Sequence, residues 1–146
     1  MPSHTIPAPR VIVVDDEPAV RKLVRRTLEP VGYIVEEAAN PSQACAAAAA
    51  GGPIDLLISD FQMPELTGDE VARRFRAVRP DVKVLFITGY ADALFDQCSQ
   101  LWDGEAFLEK PFSRTGLLEA ASLLLFGHFN QEDRFAEPRP AAAGGM

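Results

Sequence analysis

The sequence has little of what disulfide-stapled or membrane-spanning proteins need. Two cysteines in 146 residues are too few for a disulfide framework and favour a reducing compartment. No uninterrupted apolar stretch approaches the roughly 18 to 20 residues that cross a bilayer. The first ten residues include three prolines and lack the apolar segment of a signal peptide. We therefore expect a cytoplasmic protein that makes no contact with a membrane.

Basic residues are also in deficit, because 14 lysines and arginines face 21 acids and give a net charge of −7. A nucleic-acid-binding domain presents a net basic face, so no direct contact with nucleic acid is expected. The composition, 47% apolar and 24% charged, is that of an ordinary globular protein. At this length one domain is expected. We assign it to residues 10–126, with a disordered arm at 1–9 and a mostly disordered tail at 127–146.

Five apolar runs predict strands. Those at residues 11–14, 54–59 and 83–88 are mostly continuous, which is typical of strands covered on both faces of a parallel sheet. The runs at 33–37 and 106–109 are weaker candidates that carry acids, so they suit the sheet edges. Helix-length segments alternate with the runs, which favours right-handed βαβ crossovers. We predict a flavodoxin-like α/β fold: a doubly wound (βα)5 parallel sheet in strand order 2-1-3-4-5, within a three-layer sandwich.

Five helices are predicted to follow the strands. The first covers residues 18–29 and carries one apolar stripe. The second starts at Pro41, with Asn40 as its N-cap. The third starts with the capping-box pattern of residues 67–70. This third helix is expected to bury three apolar side chains: Val71, Phe75 and Val78.

The fourth and fifth predicted helices cover about residues 91–101 and 114–126. The run LLLF at residues 123–126 cannot point entirely inward, because four consecutive residues sweep round a helix. One expected cover is a second copy of the chain, in a homodimer through the surface of the fourth helix, fifth strand and fifth helix. The alternatives are the C-terminal tail folding back and harmless exposure.

Polar side chains follow the predicted strands. Asp15 and Asp16 follow the first strand and Asp60 the third, while Thr88 ends the fourth strand and Lys110 follows the fifth. In a doubly wound sheet, ligands bind outside the carboxyl ends of the strands, where the strand order reverses. Three carboxylates brought together repel one another, so either some are protonated or a divalent cation lies among them. An all-oxygen site with room for water suits Mg²⁺.

This set of side chains fits the transfer of a phosphoryl group onto a carboxylate. Mg²⁺ would neutralise charge on the phosphoryl oxygens, and Thr88 and Lys110 would hold the others. Asp60 is the predicted nucleophile because it ends a central strand, and Asp15 and Asp16 would hold the metal.

The segments VVDDEPAVR, LLISDFQMPELTGDE, LFITGY and FLEKPFS together resemble the receiver domain of two-component response regulators, in register over residues 10–126. From Asp15 the spacing is 45 residues to Asp60, 28 more to Thr88 and 22 more to Lys110. The resemblance implies that Asp60 is the phospho-acceptor and that Thr88 and Lys110 contact the phosphoryl group. It also implies a magnesium site made by four groups: Asp15, Asp16, Asp60 and the backbone carbonyl of Gln62.

The resemblance further implies that Thr88 and Phe107 occupy switch positions and that the peptide before Pro111 is cis. Because Phe107 lacks a hydroxyl, coupling through a hydrogen bond of that ring is excluded. The implied partner is a histidine kinase or a histidine phosphotransfer protein. That partner would read basic side chains of the first helix, which otherwise form an ordinary solvated face: Arg21, Lys22, Arg25 and Arg26.

The resulting hypothesis is a stand-alone receiver domain that takes a phosphoryl group from a phosphohistidine and switches the surface of its fourth helix, fifth strand and fifth helix. It would have no output domain and turn over no external substrate, although it would dephosphorylate itself. One alternative is a phosphatase with an aspartyl nucleophile, whose chemistry prefers D-x-D after the first strand, where this chain has DDE. The other is a receiver-like scaffold that is never phosphorylated.

Overall fold

The computed structural model describes residues 8–64, 66–89 and 104–127. Five parallel strands form one sheet in the order β2-β1-β3-β4-β5. Their bounds are β1 (Arg10–Val14), β2 (Ile34–Ala38), β3 (Leu56–Asp60), β4 (Lys83–Thr88) and β5 (Glu105–Glu109). The flavodoxin-like fold and the predicted strand order are confirmed, with the acid-bearing strands β2 and β5 at the edges.

The described residues form four α-helices and one short 3-10 helix. Their bounds are α1 (Pro18–Leu28), the 3-10 helix (Glu29–Val31), α2 (Pro41–Ala49), α3 (Gly68–Val78) and α4 (Arg114–Phe126). Helix α4 is the fifth predicted helix. The fourth predicted helix, at residues 91–101, lies outside the described residues, as do most of the predicted arm and tail. None of the described helices is long and apolar enough to span a membrane.

Side-chain caps fix where three helices begin. Asn40 accepts a hydrogen bond from the backbone N–H of Gln43, as predicted for the start of α2. Thr67 accepts one from Glu70 at the start of α3. Ser113 caps α4 in the same way. Each cap satisfies a backbone donor that has no partner within its helix.

Alternation along the strands sends side chains to two separate cores. In β1, Ile12 and Val14 pack on one face with residues of α2 and α3. Val11 and Val13 pack on the other face with residues of α1 and α4. Helices therefore cover both faces of the sheet, which explains why the central strands are apolar without interruption.

Two side chains depart from the expected burial. Val78 was expected inside but is 47% exposed, because α3 ends there and Arg79 leaves the helical conformation. Val82, in the following turn, joins the core on that side. Pro9 was assigned to the disordered arm, yet it is buried and its carbonyl accepts a hydrogen bond from Ile34 N–H at 2.9 Å. Packing thus begins one residue before β1.

The apolar run at the end of α4 divides as its helical geometry requires. Leu123 is 51% exposed, whereas Leu124, Leu125 and Phe126 are partly buried against the core on the α1 side. The domain itself therefore covers three residues of the run in part and leaves Leu123 open.

Candidate functional site

Three carboxylates meet where the carboxyl ends of β1 and β3 lie side by side. Asp15 and Asp16 directly follow β1, and Asp60 is the last residue of β3. One oxygen from each of the three lies within 4.8 Å of the others. Asp15 and Asp60 are buried, whereas Asp16 is exposed. Their spacing would let a single cation contact all three.

Asp15 has one oxygen well satisfied and one short of partners. Its Oδ1 accepts a hydrogen bond from the backbone N–H of Glu17 at 2.8 Å. Its buried Oδ2 accepts no well-aligned hydrogen bond from a described residue, although Lys110 Nζ lies 3.3 Å away. Burial, with the nearby charge of Asp60, raises the pKa of Asp15 from 3.8 to about 6. A buried oxygen in this condition is a good ligand for a hard cation, so the acids fit Mg²⁺.

The hydrogen bonds of Asp60 are longer than the one that Asp15 Oδ1 accepts. Asp60 Oδ1 accepts a hydrogen bond from the backbone N–H of Gln62 at 3.2 Å, and its Oδ2 lies 3.4 Å from Lys110 Nζ. Burial raises the pKa of Asp60 above its usual value, and Asp16 adds to this, while the charge of Lys110 opposes it. A carboxylate with two long hydrogen bonds retains lone pairs for another partner.

Lys110 brings a cation to the acids from the far edge of the sheet. It follows β5, and its backbone N–H donates to the carbonyl of Thr88 at 2.7 Å. Burial alone would lower the pKa of Lys110, but a hydrogen bond to Glu17 and the charges of Asp15 and Asp60 raise it above the usual range. The ammonium therefore stays charged. The Lys110–Pro111 peptide is cis, as the resemblance implied.

Glu17 was not predicted as part of the site. Its Oε1 lies 2.9 Å from Lys110 Nζ, closer than either aspartate. The sequence signal was its place directly after Asp16, but its partner lies 93 residues further on, so only the fold reveals the pair.

These side chains line an open cleft of about 560 Å³. The cleft is lined by Asp16, Glu17, Asp60, Gln62, Thr88, Gly89 and Lys110. Asp15 lies beneath it, with no exposed surface. Phe107 lies apart from the cleft on β5, opposite Phe86 of β4, and packs against the core on the α3 side.

A family model described as the response regulator receiver domain matches residues 11–122. The chain belongs to this family. CpdR of Brucella abortus, a response regulator receiver protein, is 32% identical over 80% of this receiver domain's chain and 96% of its own length. Sensor kinase CckA of the same organism is 39% identical, with 70% of this chain and 11% of CckA aligned. Response regulator MprA of Mycobacterium ulcerans is 36% identical, with 88% of this chain and 55% of MprA aligned.

Solved receiver domains share the fold. The receiver domain of the hybrid histidine kinase CckA aligns with a TM-score of 0.68 and 36% identity, over 80% of this chain and 98% of that one. TrrA of Thermotoga maritima, solved in complex with Mg²⁺-BeF, aligns with a TM-score of 0.69 and 32% identity, over 80% and 99% of the two chains.

Gly68 ties the end of β3 to the start of α3 in this receiver domain. A Cβ at Gly68 would lie 2.8 Å from the carbonyl oxygen of Asp60 and 2.9 Å from Phe61 Cα. Its N–H donates to the carbonyl of Phe61 at 2.7 Å. Only glycine allows this approach of two backbones, so α3 begins directly against the peptide that carries Asp60.

Two of the four basic side chains of α1 pair with acids. Arg21 Nε pairs with Glu37 at 3.1 Å. Arg25 pairs with Glu29 at 2.8 Å and with Glu37 at 3.1 Å. Lys22 and Arg26 are exposed. Acids of the adjacent edge strand β2 and of the helix end therefore offset the charges of Arg21 and Arg25, and that a partner reads this face stays a prediction.

Proposed function

We propose that this receiver domain accepts a phosphoryl group on Asp60 from a phosphohistidine of a histidine kinase or a histidine phosphotransfer protein, in the cytoplasm. The observation that carries the proposal is the convergence of three carboxylates and Lys110 on one open cleft. The groups that would hold Mg²⁺ are Asp15, Asp16, Asp60 and the backbone carbonyl of Gln62. When bound, Mg²⁺ supplies positive charge against the phosphoryl oxygens.

Burial distinguishes the acceptor from its neighbours. Asp15 has no exposed surface and would be out of reach of a partner's phosphohistidine, which suits a metal ligand. Asp60 lines the cleft, and its side chain is 11% exposed. Asp16 is exposed on the loop after β1. Within the described residues, Lys110 forms an ion pair with Asp60 but not with Asp16. Asp60 therefore combines access with a nearby cation.

The transfer exchanges one bond to phosphorus for another. A carboxylate oxygen of Asp60 attacks the phosphorus, the P–N bond breaks, and its electron pair returns to the partner's imidazole nitrogen. Asp60 must be ionised to attack, and Lys110 favours that form against the effect of burial. Lys110 and the Thr88 hydroxyl would then hold the oxygens of the transferred group.

The output would be a change of surface shape. Thr88 is positioned to respond to a phosphoryl group on Asp60, since it lines the same cleft. Phe107 lies on β5, next to β4, which ends in Thr88. We expect these two positions to bias the β5 and α4 side between two packings, read by a protein partner or a second copy of the chain. Loss of the phosphoryl group by hydrolysis would reset the domain without turnover of an external substrate.

The test is intact-mass spectrometry after incubation with Mg²⁺ and either acetyl phosphate or a phosphorylated histidine kinase. We expect a gain of about 80 Da, the mass of one added HPO3 group. Asp60→Asn should abolish the gain. Asp81→Asn, the same substitution at an exposed acid outside the cleft, should retain it. An unmodified wild type, or an adduct retained in Asp60→Asn, would contradict the proposal and favour an unphosphorylated scaffold or another acceptor.

A further inference from the structure

We propose that Arg21 is a positioning residue for the metal-binding acids, acting through the backbone of Asp15; the inference rests on the function proposed above. Arg21 Nη1 donates to the backbone carbonyl of Asp15 at 2.7 Å. The same guanidinium donates through Nε to Glu37 Oε1 at 3.1 Å. Its side chain is only 15% exposed, so most of it faces the domain and not a partner.

The bonded carbonyl belongs to the peptide that joins the two acids. Asp15 lies just beyond the end of β1, and its own N–H reaches Ala38 O at a long 3.3 Å. Strand pairing therefore holds this turn only weakly. The hydrogen bond from Arg21 fixes the orientation of the peptide between Asp15 and Asp16, and with it the direction of both carboxylates.

Glu37 anchors the guanidinium on the neighbouring strand. It is the fourth residue of β2, and Arg25 donates to its other oxygen at 3.1 Å. Burial alone would raise the pKa of Glu37, but the two arginines lower it below its usual value, so Glu37 stays charged at neutral pH. Arg21 thus links three parts of the molecule: helix α1, strand β2 and the acidic turn.

The contact is one of position more than of charge. Arg21 touches a carbonyl of Asp15, whereas the charges that shift the pKa of Asp15 are those of Asp60 and Lys110. A guanidinium has a rigid fork of donors that can hold two acceptors on different elements at fixed geometry. A lysine ammonium at this position would keep the charge but lose the fork.

Arg25 supplies a matched control, since it lies one turn further along α1 and shares Glu37 as a partner. Calorimetric titration with MgCl2 would give the Mg²⁺ Kd of each variant, and urea unfolding in EDTA would give its metal-free stability. We expect Arg21→Ala to raise the Kd about 10-fold, the scale seen when residues that orient metal ligands are removed. The Mg²⁺ Kd of Arg21→Lys should lie between those of Arg21→Ala and wild type. Arg25→Ala should stay within about 2-fold of wild type.

A purely structural role would give a different pattern. Arg21→Ala would then lower the free energy of unfolding in EDTA but leave the Mg²⁺ Kd within about 2-fold of wild type, and the inference would be overturned. If Arg21→Ala does not fold, the Mg²⁺ Kd of Glu37→Gln and of Arg21→Lys decides in the same way. Glu37→Gln weakens the partner that holds the guanidinium, and Arg21→Lys removes its two-pronged donor geometry. Failure of wild type to bind Mg²⁺ would instead contradict the proposed function itself.

Discussion

The body of strand β3 buries only apolar side chains, whereas its carboxyl end buries a charged one. Leu56, Leu57 and Ile58 have no exposed surface and lie among apolar side chains. Two residues after Ile58, Asp60 is also buried, at 8% exposure, but it lies beside two further acids. The first region gains stability from leaving water, while the second loses it through repulsion and desolvation. One strand thus stabilises the fold along its length and carries a costly cluster of acids at its carboxyl end.

The largest expected effect lies in the apolar region. Phe75 of α3 is fully buried in the core that packs on the Leu57 face of the sheet. Phe75→Ala should lower the free energy of unfolding by about 3 to 5 kcal/mol, from lost burial and the cavity left behind. Urea unfolding in EDTA would measure it, with Arg74→Ala, an exposed position on the same helix, as the control. A loss below about 1 kcal/mol would mean that this core is not tightly packed.

At the carboxyl end the sign should reverse. Asp15→Asn should raise the free energy of unfolding in EDTA at pH 7.5 by about 1 to 3 kcal/mol, because a carboxyl whose pKa rises from 3.8 to about 6 on folding resists being charged there. The same variant should lose most of the stabilisation that MgCl2 gives to wild type. Destabilisation by Asp15→Asn in EDTA would remove the contrast between the two regions.

The pH dependence of wild type follows from the same shift. Between about pH 4 and 6, Asp15 is protonated to a greater extent in the folded state than in the unfolded state. In EDTA, the free energy of unfolding should therefore rise as the pH falls through this window. Below about pH 4.5 the trend should weaken. The pKa of Glu37 is lowered by its two arginines, so protonation of Glu37 in this range removes the stability that its ion pairs contribute. With MgCl2 present, acidification should destabilise, because protons displace the metal. Thermal melts at a series of pH values would compare both conditions.

The smallest expected effect concerns Glu17, which competes with Asp60 for the ammonium group of Lys110. Glu17→Gln removes a competing charge 2.9 Å from Lys110 Nζ. An exposed ion pair contributes up to about 1 kcal/mol, so phosphorylation by acetyl phosphate should accelerate about two- to fivefold. Intact-mass time courses would show it, with Glu36→Gln on β2 as the exposed control. An unchanged or slower rate would show that Glu17 does not compete for Lys110.

The sequence contained most of the fold because its apolar runs are strong and local. The runs placed all five strands within about two residues, and Asp15, Asp60 and Lys110 stood at strand ends, where parallel topology brings them together. Other features depended on contacts between distant segments. Arg21 looked like a solvated base until Glu37, 16 residues away, folded against it. Val78 fitted the apolar stripe, but the end of α3 decided its exposure.

The contact between Phe61 and Phe86 gives the domain a built-in reporter. Phe61 directly follows Asp60, and its ring meets Phe86 edge to face, with centroids 5.5 Å apart and planes at 88°. In this geometry the ring protons of one residue lie over the π-face of the other, where ring currents displace their NMR frequencies. A slight tilt of the chain at Asp60 would therefore change the aromatic proton spectrum, with no label added to the protein.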